Sequence, residues 1–227
     1  MAEQVKEQTG LTRRDFLKAS SGVALGVVIG GGLYKLIPVG DGLVAYAASE
    51  GYLLVDRKKC SGCTSCMLAC SLAHEGKENL SLSRIQIVQN PFAAFPDDIL
   101  QRQCRQCVHP DCAQACPTGA LQVDDENGNV RTVDEDKCIG CLRCVQGCPF
   151  MPAGVQWNFE EQHAQKCDLC ADTPFWNTEG GVDGKQACIE VCPMRAIVFT
   201  TEIPSQDVGY DVNLRTEAWA SFGLSTD

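Results

Sequence analysis

No stretch of this chain is basic enough to face a phosphate backbone. Its 227 residues carry 29 Asp and Glu against 19 Lys and Arg, a formal net charge of -10, whereas a nucleic-acid partner calls for a basic stripe. No G-x-G-x-x-G follows a strand-like run and no P-loop occurs, so the motifs that cradle dinucleotides and nucleotides are missing. A membrane-spanning helix wants about 20 strongly apolar residues. The uncharged stretch from Ala19 to Tyr34 is shorter and is interrupted by Gly22, Gly26, Gly30, Gly31 and Gly32. What the chain has in excess is cysteine: 16, falling into four groups of four with none left over. Secreted disulfide scaffolds are usually much shorter and do not repeat their cysteines with one ligand spacing, so this arithmetic points to cofactor ligation.

The most specific group is CIGCLRCVQGCP, residues 138 to 149, in which Cys138, Cys141, Cys144 and Cys148 are spaced C-x2-C-x2-C-x3-C and followed by Pro149. That is the bacterial 4Fe-4S spacing: three thiolates on a tight loop clasp one cubane, and the fourth, on the helical turn behind them, reaches a neighbouring one. One such motif therefore implies a second. Gly140 suits a loop whose backbone passes close to the cluster in unusual dihedrals. A structural zinc site or a pair of disulfides explains neither the third spacing nor the Cys-Pro.

The other three groups follow the same logic. Tyr52 to Val55 reads as a strand leading into CSGCTSCMLAC, with Cys60, Cys63, Cys66 and Cys70. Residues 83 to 89, SRIQIVQ, alternate as a half-buried strand does, and Pro91 and Pro96 end it. CRQCVHPDCAQACP carries Cys104, Cys107, Cys112 and Cys116 in a loop two residues longer; His109 within it reads as an exposed loop residue, since four cysteines already satisfy a cubane. Ala120 to Val123 and Val130 to Val133 read as a hairpin around Asn127-Gly128, a strong turn signal. The fourth group is split: Cys167 and Cys170, then Cys188 and Cys192 before Pro193. Its insert, TPFWNTEGGVDGK, reads as a surface excursion, either passive or a docking element. Met194 to Thr200 supplies a closing strand. The tail, residues 203 to 227 with Trp219 and Phe222, is either disordered or a strap over a partner subunit.

At the other end, residues 12 to 18 read TRRDFLK ahead of the glycine-containing stretch, and Ala45-Tyr46-Ala47 offers an A-x-A cleavage site. This resembles a twin-arginine (Tat) export signal, with Arg13 and Arg14 as the pair, and implies a leader over residues 1 to 47 and a location in the periplasm or on the outer face of the cytoplasmic membrane. The route suits the cysteines. Thiols stay free in the reducing cytoplasm, where clusters are inserted, and twin-arginine export carries folded proteins.

In motif order and spacing, residues 50 to 202 resemble the four-cluster iron-sulfur subunits of the molybdopterin oxidoreductase family, such as those of dimethyl sulfoxide reductase, formate dehydrogenase and polysulfide reductase, and the exported ferredoxin-like protein of formate-dependent nitrite reduction. The resemblance implies a loop-rich α+β fold of two pseudo-symmetric bacterial-ferredoxin-like modules within residues 48 to 202. The outer module comes from the motifs at 60 to 70 and 167 to 192, the inner from residues 97 to 150, and 203 to 227 form the tail. It also implies four ligand sets: Cys60, Cys63, Cys66 with Cys192; Cys167, Cys170, Cys188 with Cys70; Cys104, Cys107, Cys112 with Cys148; and Cys138, Cys141, Cys144 with Cys116. Some relatives replace one cysteine of the third motif by tryptophan and hold a 3Fe-4S centre there; this sequence keeps Cys144, so four 4Fe-4S clusters are expected. Unlike some relatives it shows no hydrophobic helix after the clusters, so anchoring through that end is not expected.

The function expected is electron transfer without catalysis on this chain, as in anaerobic respiration. Too little sequence lies outside the motifs for a molybdopterin domain. The partners implied are a catalytic oxidoreductase subunit, of molybdenum or tungsten type, and a membrane quinone-linked subunit or cytochrome. The alternative is a free-standing periplasmic polyferredoxin shuttle.

Overall fold

The computed structural model describes residues 27–29, 32–39, 42–207, 212–223 and 226, with side chains from Tyr46 onward. Strands β1 (Val27–Ile29), β2 (Gly32–Val39) and β3 (Gly42–Ala47) form an antiparallel sheet in that order. Arg13 and Arg14 lie outside the described residues. The expected cleavage site falls at the end of β3, where Tyr46 and Ala47 are buried and Tyr46 packs in an apolar cluster with Ala113, Leu121, Cys144, Val155 and Ala164.

Strand β4 (Tyr52–Val55) pairs antiparallel with β11 (Ile197–Thr200), Tyr52 opposite Thr200 and Val55 opposite Ile197. The two runs expected to lead into the first motif and out of the last thus close on each other. Between them one arrangement occurs twice. Helix α1 (Ser65–Glu75), which carries Cys66 and Cys70, packs on α4 (Ala187–Glu190), which carries Cys188. Helix α2 (Asp111–Gln114), carrying Cys112, packs on α3 (Arg143–Gln146), carrying Cys144, beside the hairpin of β7 (Leu121–Asp124) and β8 (Val130–Val133). The hairpin is the one expected, with a longer turn: the left-handed residues are Gly128 (φ 63) and Asn129 (φ 58), and Asp124 accepts from the backbone and side chain of Asn127.

Two strands depart from the sequence reading. The run expected over 83 to 89 becomes a strand only at β5 (Gln86–Gln89), because the buried Ser83 hydroxyl donates to the Ile85 carbonyl (2.7 Å) and accepts from the Ile85 amide (3.3 Å), holding that backbone in a local turn. Its partner β6 (Ile99–Arg102) makes a hairpin of what reads as a connection. A further hairpin, β9 (Val155–Asn158) with β10 (His163–Lys166), carries no glycine or proline at its turn. The Asn158 side chain makes the turn instead, accepting from the amides of Glu160 (2.9 Å) and Glu161 (3.0 Å).

The insert is no loose excursion. Gly181 donates to Leu169 O (2.9 Å), Gln186 to Gly181 O (2.8 Å), and Phe175 to Ala73 O (3.2 Å). Trp176 is half-buried against Ala73, Cys170 and Ala187, and the Phe175 ring fills the space left by Gly76, the left-handed glycine that ends α1. The described part of the tail lies on this same chain. Asp56, fully buried, accepts from the Leu214 amide (2.9 Å) and pairs with Arg215 (3.2 Å), while Lys59 sits over the Trp219 ring. Arg105 reaches Asp207 O (2.8 Å). Charge complementarity with the segment before Cys60 holds the tail where the sequence reading offered disorder or a partner.

Candidate metal centres

The fold gathers the cysteines into four quartets. Cys60, Cys63, Cys66 and Cys192 line a cavity of about 280 Å³. Cys70, Cys167, Cys170 and Cys188 line one of about 320 Å³. Cys116, Cys138, Cys141 and Cys144 line one of about 350 Å³; each is partly open to solvent. Cys104, Cys107, Cys112 and Cys148 come together as well: burial and then Cys104 push the Cys107 thiol up to about 12, with Cys112 and Cys148 adding to the rise against Lys166. His109 is exposed.

Each loop is shaped the same way. The residue before its second cysteine takes a left-handed backbone: Gly62 (φ 68), Gln106 (φ 48), Gly140 (φ 69) and Leu169 (φ 60). Glycine does this freely, as read for Gly140; glutamine and leucine do it only where their surroundings hold them. Leu169 is fully buried among Leu53, Cys188 and Ile197. Gln106, also fully buried, donates to Cys167 O (2.7 Å) and accepts from the Arg131 amide (2.7 Å), while its own amide points at Cys104 Sγ (3.4 Å). The fourth cysteine of each motif is steadied by backbone N–H groups from the segment after it: Arg84 to Cys70 Sγ (3.4 Å), Gly154 to Cys148 Sγ (3.2 Å), Ala196 to Cys192 Sγ (3.3 Å), and Thr118, Ala120 and Leu121 around Cys116.

The donor chemistry tests what these cavities hold. Burial, then the sulfurs of Cys60, Cys192 and Cys63, pushes the Cys66 thiol up to about 12; burial likewise lifts Cys170 to about 12 and Cys144 to about 11, and raises Cys167 and Cys188 well above the ordinary thiol value. Thiolates packed this way repel one another and need positive charge between them. Among the described residues no three His, Cys, Asp or Glu groups converge closely enough for a single metal ion, as the sulfur distances of about 2.3 Å at a zinc centre would require. Sulfurs spread around a cavity fit a cluster whose irons stand between them, and all sixteen thiols are free.

Around the quartet of Cys70 lies a charged network that sequence reasoning missed. Asp168 binds His74 Nε2 (3.0 Å) and Arg84 (2.8 Å) and accepts from the amides of Cys170 (2.9 Å) and Asp172 (3.2 Å). Burial pushes its carboxyl up, but His74 and Arg84 outweigh this and hold it down to about 2. Burial works against the His74 imidazolium too, yet Asp168 and Cys70 raise it to about 10. The signals were present: an acid inside C-x2-C, and a histidine one helical turn beyond Cys70.

The quartets also stand in a row. Cys188 is influenced by Cys66, Cys167 by Cys104, and Cys144 by Cys112, so each quartet acts on the next through its sulfurs. The exposed cysteines, Cys63 and Cys141, belong to the two end quartets.

Residues 97–202 match the 4Fe-4S dicluster domain. The chain is 36% identical over 159 residues to the thiosulfate reductase electron transfer subunit PhsB of Salmonella typhi, covering 68% of this chain and 77% of that protein. It is 37% identical over 145 residues to the polyferredoxin-like subunit of the aliphatic sulfonate oxidoreductase of Pyrococcus furiosus, covering 62% and 70%. Against the beta subunit of the NADH-dependent phenylglyoxylate dehydrogenase of Aromatoleum evansii it is 38% identical over 146 residues, covering 64% of this chain but 29% of that one. Matched length thus varies among these relatives. With 77% of an electron-transfer subunit covered and the dicluster domain matched, the chain belongs to the family of 4Fe-4S iron-sulfur electron-transfer subunits of oxidoreductases.

Proposed function

We propose that this chain is a fixed relay that carries electrons along four 4Fe-4S clusters, one per quartet, between a catalytic oxidoreductase subunit of molybdenum or tungsten type and a membrane quinone-linked subunit or cytochrome. The observation that carries this is the row of quartets, linked by Cys66 and Cys188, Cys167 and Cys104, and Cys112 and Cys144, with an exposed cysteine at each end. Each cluster supplies reversible one-electron chemistry. The chain supplies the sixteen sulfurs, the backbone N–H groups that stabilise them, and apolar walls that keep water away. We read the repeated arrangement of α1 with α4 and α2 with α3 as two pseudo-symmetric modules, outer and inner. By resemblance the outer one faces the catalytic subunit.

Anaerobically prepared protein should contain about 16 iron atoms per chain, four in each of four cubanes, with matching sulfide, and should copurify with a larger redox subunit under mild conditions. A reproducible value near 12 or below removes one quartet from the relay; a stable monomer that exchanges electrons with several unrelated carriers makes the chain a shuttle.

We also propose that Arg13 and Arg14 direct export to the periplasm or the outer face of the cytoplasmic membrane. Replacing both by lysine should retain the protein inside the cell, measured by fractionation. Undiminished appearance outside would end that reading.

A further inference from the structure

The segment joining the Cys70 and Cys104 quartets carries a buried cation for which no carboxylate ion pair occurs among the described residues. Lys166, the last residue of β10, is 3% exposed. It is one peptide bond from Cys167, which serves the Cys70 quartet, yet its charge acts first on Cys104, then on Cys112 and Cys107 of the next, and draws the Cys107 and Cys112 thiols down against their burial. A buried charge is ordinarily paired, and the comparison with Arg84 is direct. Arg84, beside the Cys70 quartet, is matched by Asp168 at 2.8 Å and Glu75 at 3.8 Å. Among the described residues no carboxylate pairs with Lys166. Arg131, another buried cation, also acts on Cys104, Cys107 and Cys112, but its guanidinium is held by the carbonyls of Asn129 and Cys107. The β9–β10 hairpin is fixed against the same loop, since a side chain at Gly154 would sit 3.2 Å from Cys104 Cα.

We propose that Lys166 is the counter-ion of the Cys104, Cys107, Cys112 and Cys148 quartet, and that it holds the reduction potential of that site up against the fall that burial imposes, so that the crossing between modules is not an uphill step. This rests on the relay reading. The physical reason is electrostatic. Taking up one electron, with no proton, adds one negative charge to a buried group, and a buried ammonium beside it favours the reduced form. It is a positioning and tuning residue and carries no electron itself.

The test is a potentiometric titration of the anaerobic holoprotein followed by electron paramagnetic resonance, in wild type and in Lys166→Met, Lys166→Gln and Lys166→Arg. In Lys166→Met one midpoint should fall by at least a tenfold change in its reduction equilibrium, about 59 mV for one electron. The other midpoints should move less, and Lys166→Arg should restore the original value. Lys166→Gln keeps a donor and loses the charge, so it should fall as the methionine variant does if the charge is responsible. Four unmoved midpoints in Lys166→Met overturn the proposal and leave the relay standing. Fewer than four midpoints in wild type, with iron near 12, overturn the relay reading instead. If neither neutral variant assembles its clusters while Lys166→Arg does, the lysine is structural and the proposal fails.

Discussion

Gly180→Ala is expected to bring the iron content down from about 16 to about 12 atoms per chain, the loss of one cubane. A Cβ at residue 180 would lie 1.8 Å from the carbonyl oxygen of Cys170 and 2.7 Å from its carbonyl carbon. Backbone cannot rotate away as a flexible side chain does, so the loop carrying Cys167 and Cys170 has to move. Overpacking usually costs about 1–3 kcal/mol; here the displaced atoms belong to the site itself, which puts the expected loss at or above the upper end. Gly119→Ala is the control, because nothing lies within 4 Å of its added Cβ and only the left-handed backbone (φ 67) is strained, worth about 1–2 kcal/mol. Iron and sulfide analysis with anaerobic thermal unfolding reads both. Full iron and an unshifted midpoint in Gly180→Ala would mean that the insert does not form part of the floor of the Cys70 quartet.

Asp168→Ala is expected to destabilise the chain by about 3–5 kcal/mol, the usual range for removing one member of a buried ion pair. Its side chain is 4% exposed, and its loss strands Arg84, whose side chain is 13% exposed, and His74, at 2%. The amides of Cys170 and Asp172 lose their acceptor as well. Chemical unfolding under anaerobic conditions measures the effect. Combining Asp168→Ala with Arg84→Met should destabilise by clearly less than the sum of the two, because the second change removes a charge whose nearer partner the first took away, leaving it only Glu75 at 3.8 Å. Additive losses, or an Asp168→Ala variant within about 0.5 kcal/mol of wild type, a change typical of neutral surface positions, would show that the network holds nothing together.

These two residues mark where sequence reading stops. The cysteine spacings, the left-handed Gly140, the hairpin over 121 to 133 and the closing strand were all legible, because each is a local demand met by local residue types. Gly180 was read as punctuation in a polar loop; that it touches Cys170 depends on how the chain returns, which composition does not encode. Asp168 and Lys166 flank Cys167, and nothing in the local sequence marks them as buried. The turn at Asn158 was hidden because its side chain does the work of a glycine. The tail's contact with its own chain was not legible for a similar reason, since its anchor, Asp56, lies 158 residues from Leu214 in sequence.

The way the cavities share their sulfurs also sets a timetable. A chain leaving the ribosome has made every cysteine of the two inner quartets once Cys148 has emerged, and Gly154, whose amide steadies Cys148, follows six residues later. The outer quartets must wait, since Cys60, Cys63 and Cys66 are joined only by Cys192, and β4 stays without its neighbour until β11 has been made. The chain thus has to be synthesised as far as Cys192 before its first motif can be completed. Cys60, Cys63 and Cys66, among the earliest thiols to appear, are exposed longest to oxidation and to stray metal during biosynthesis.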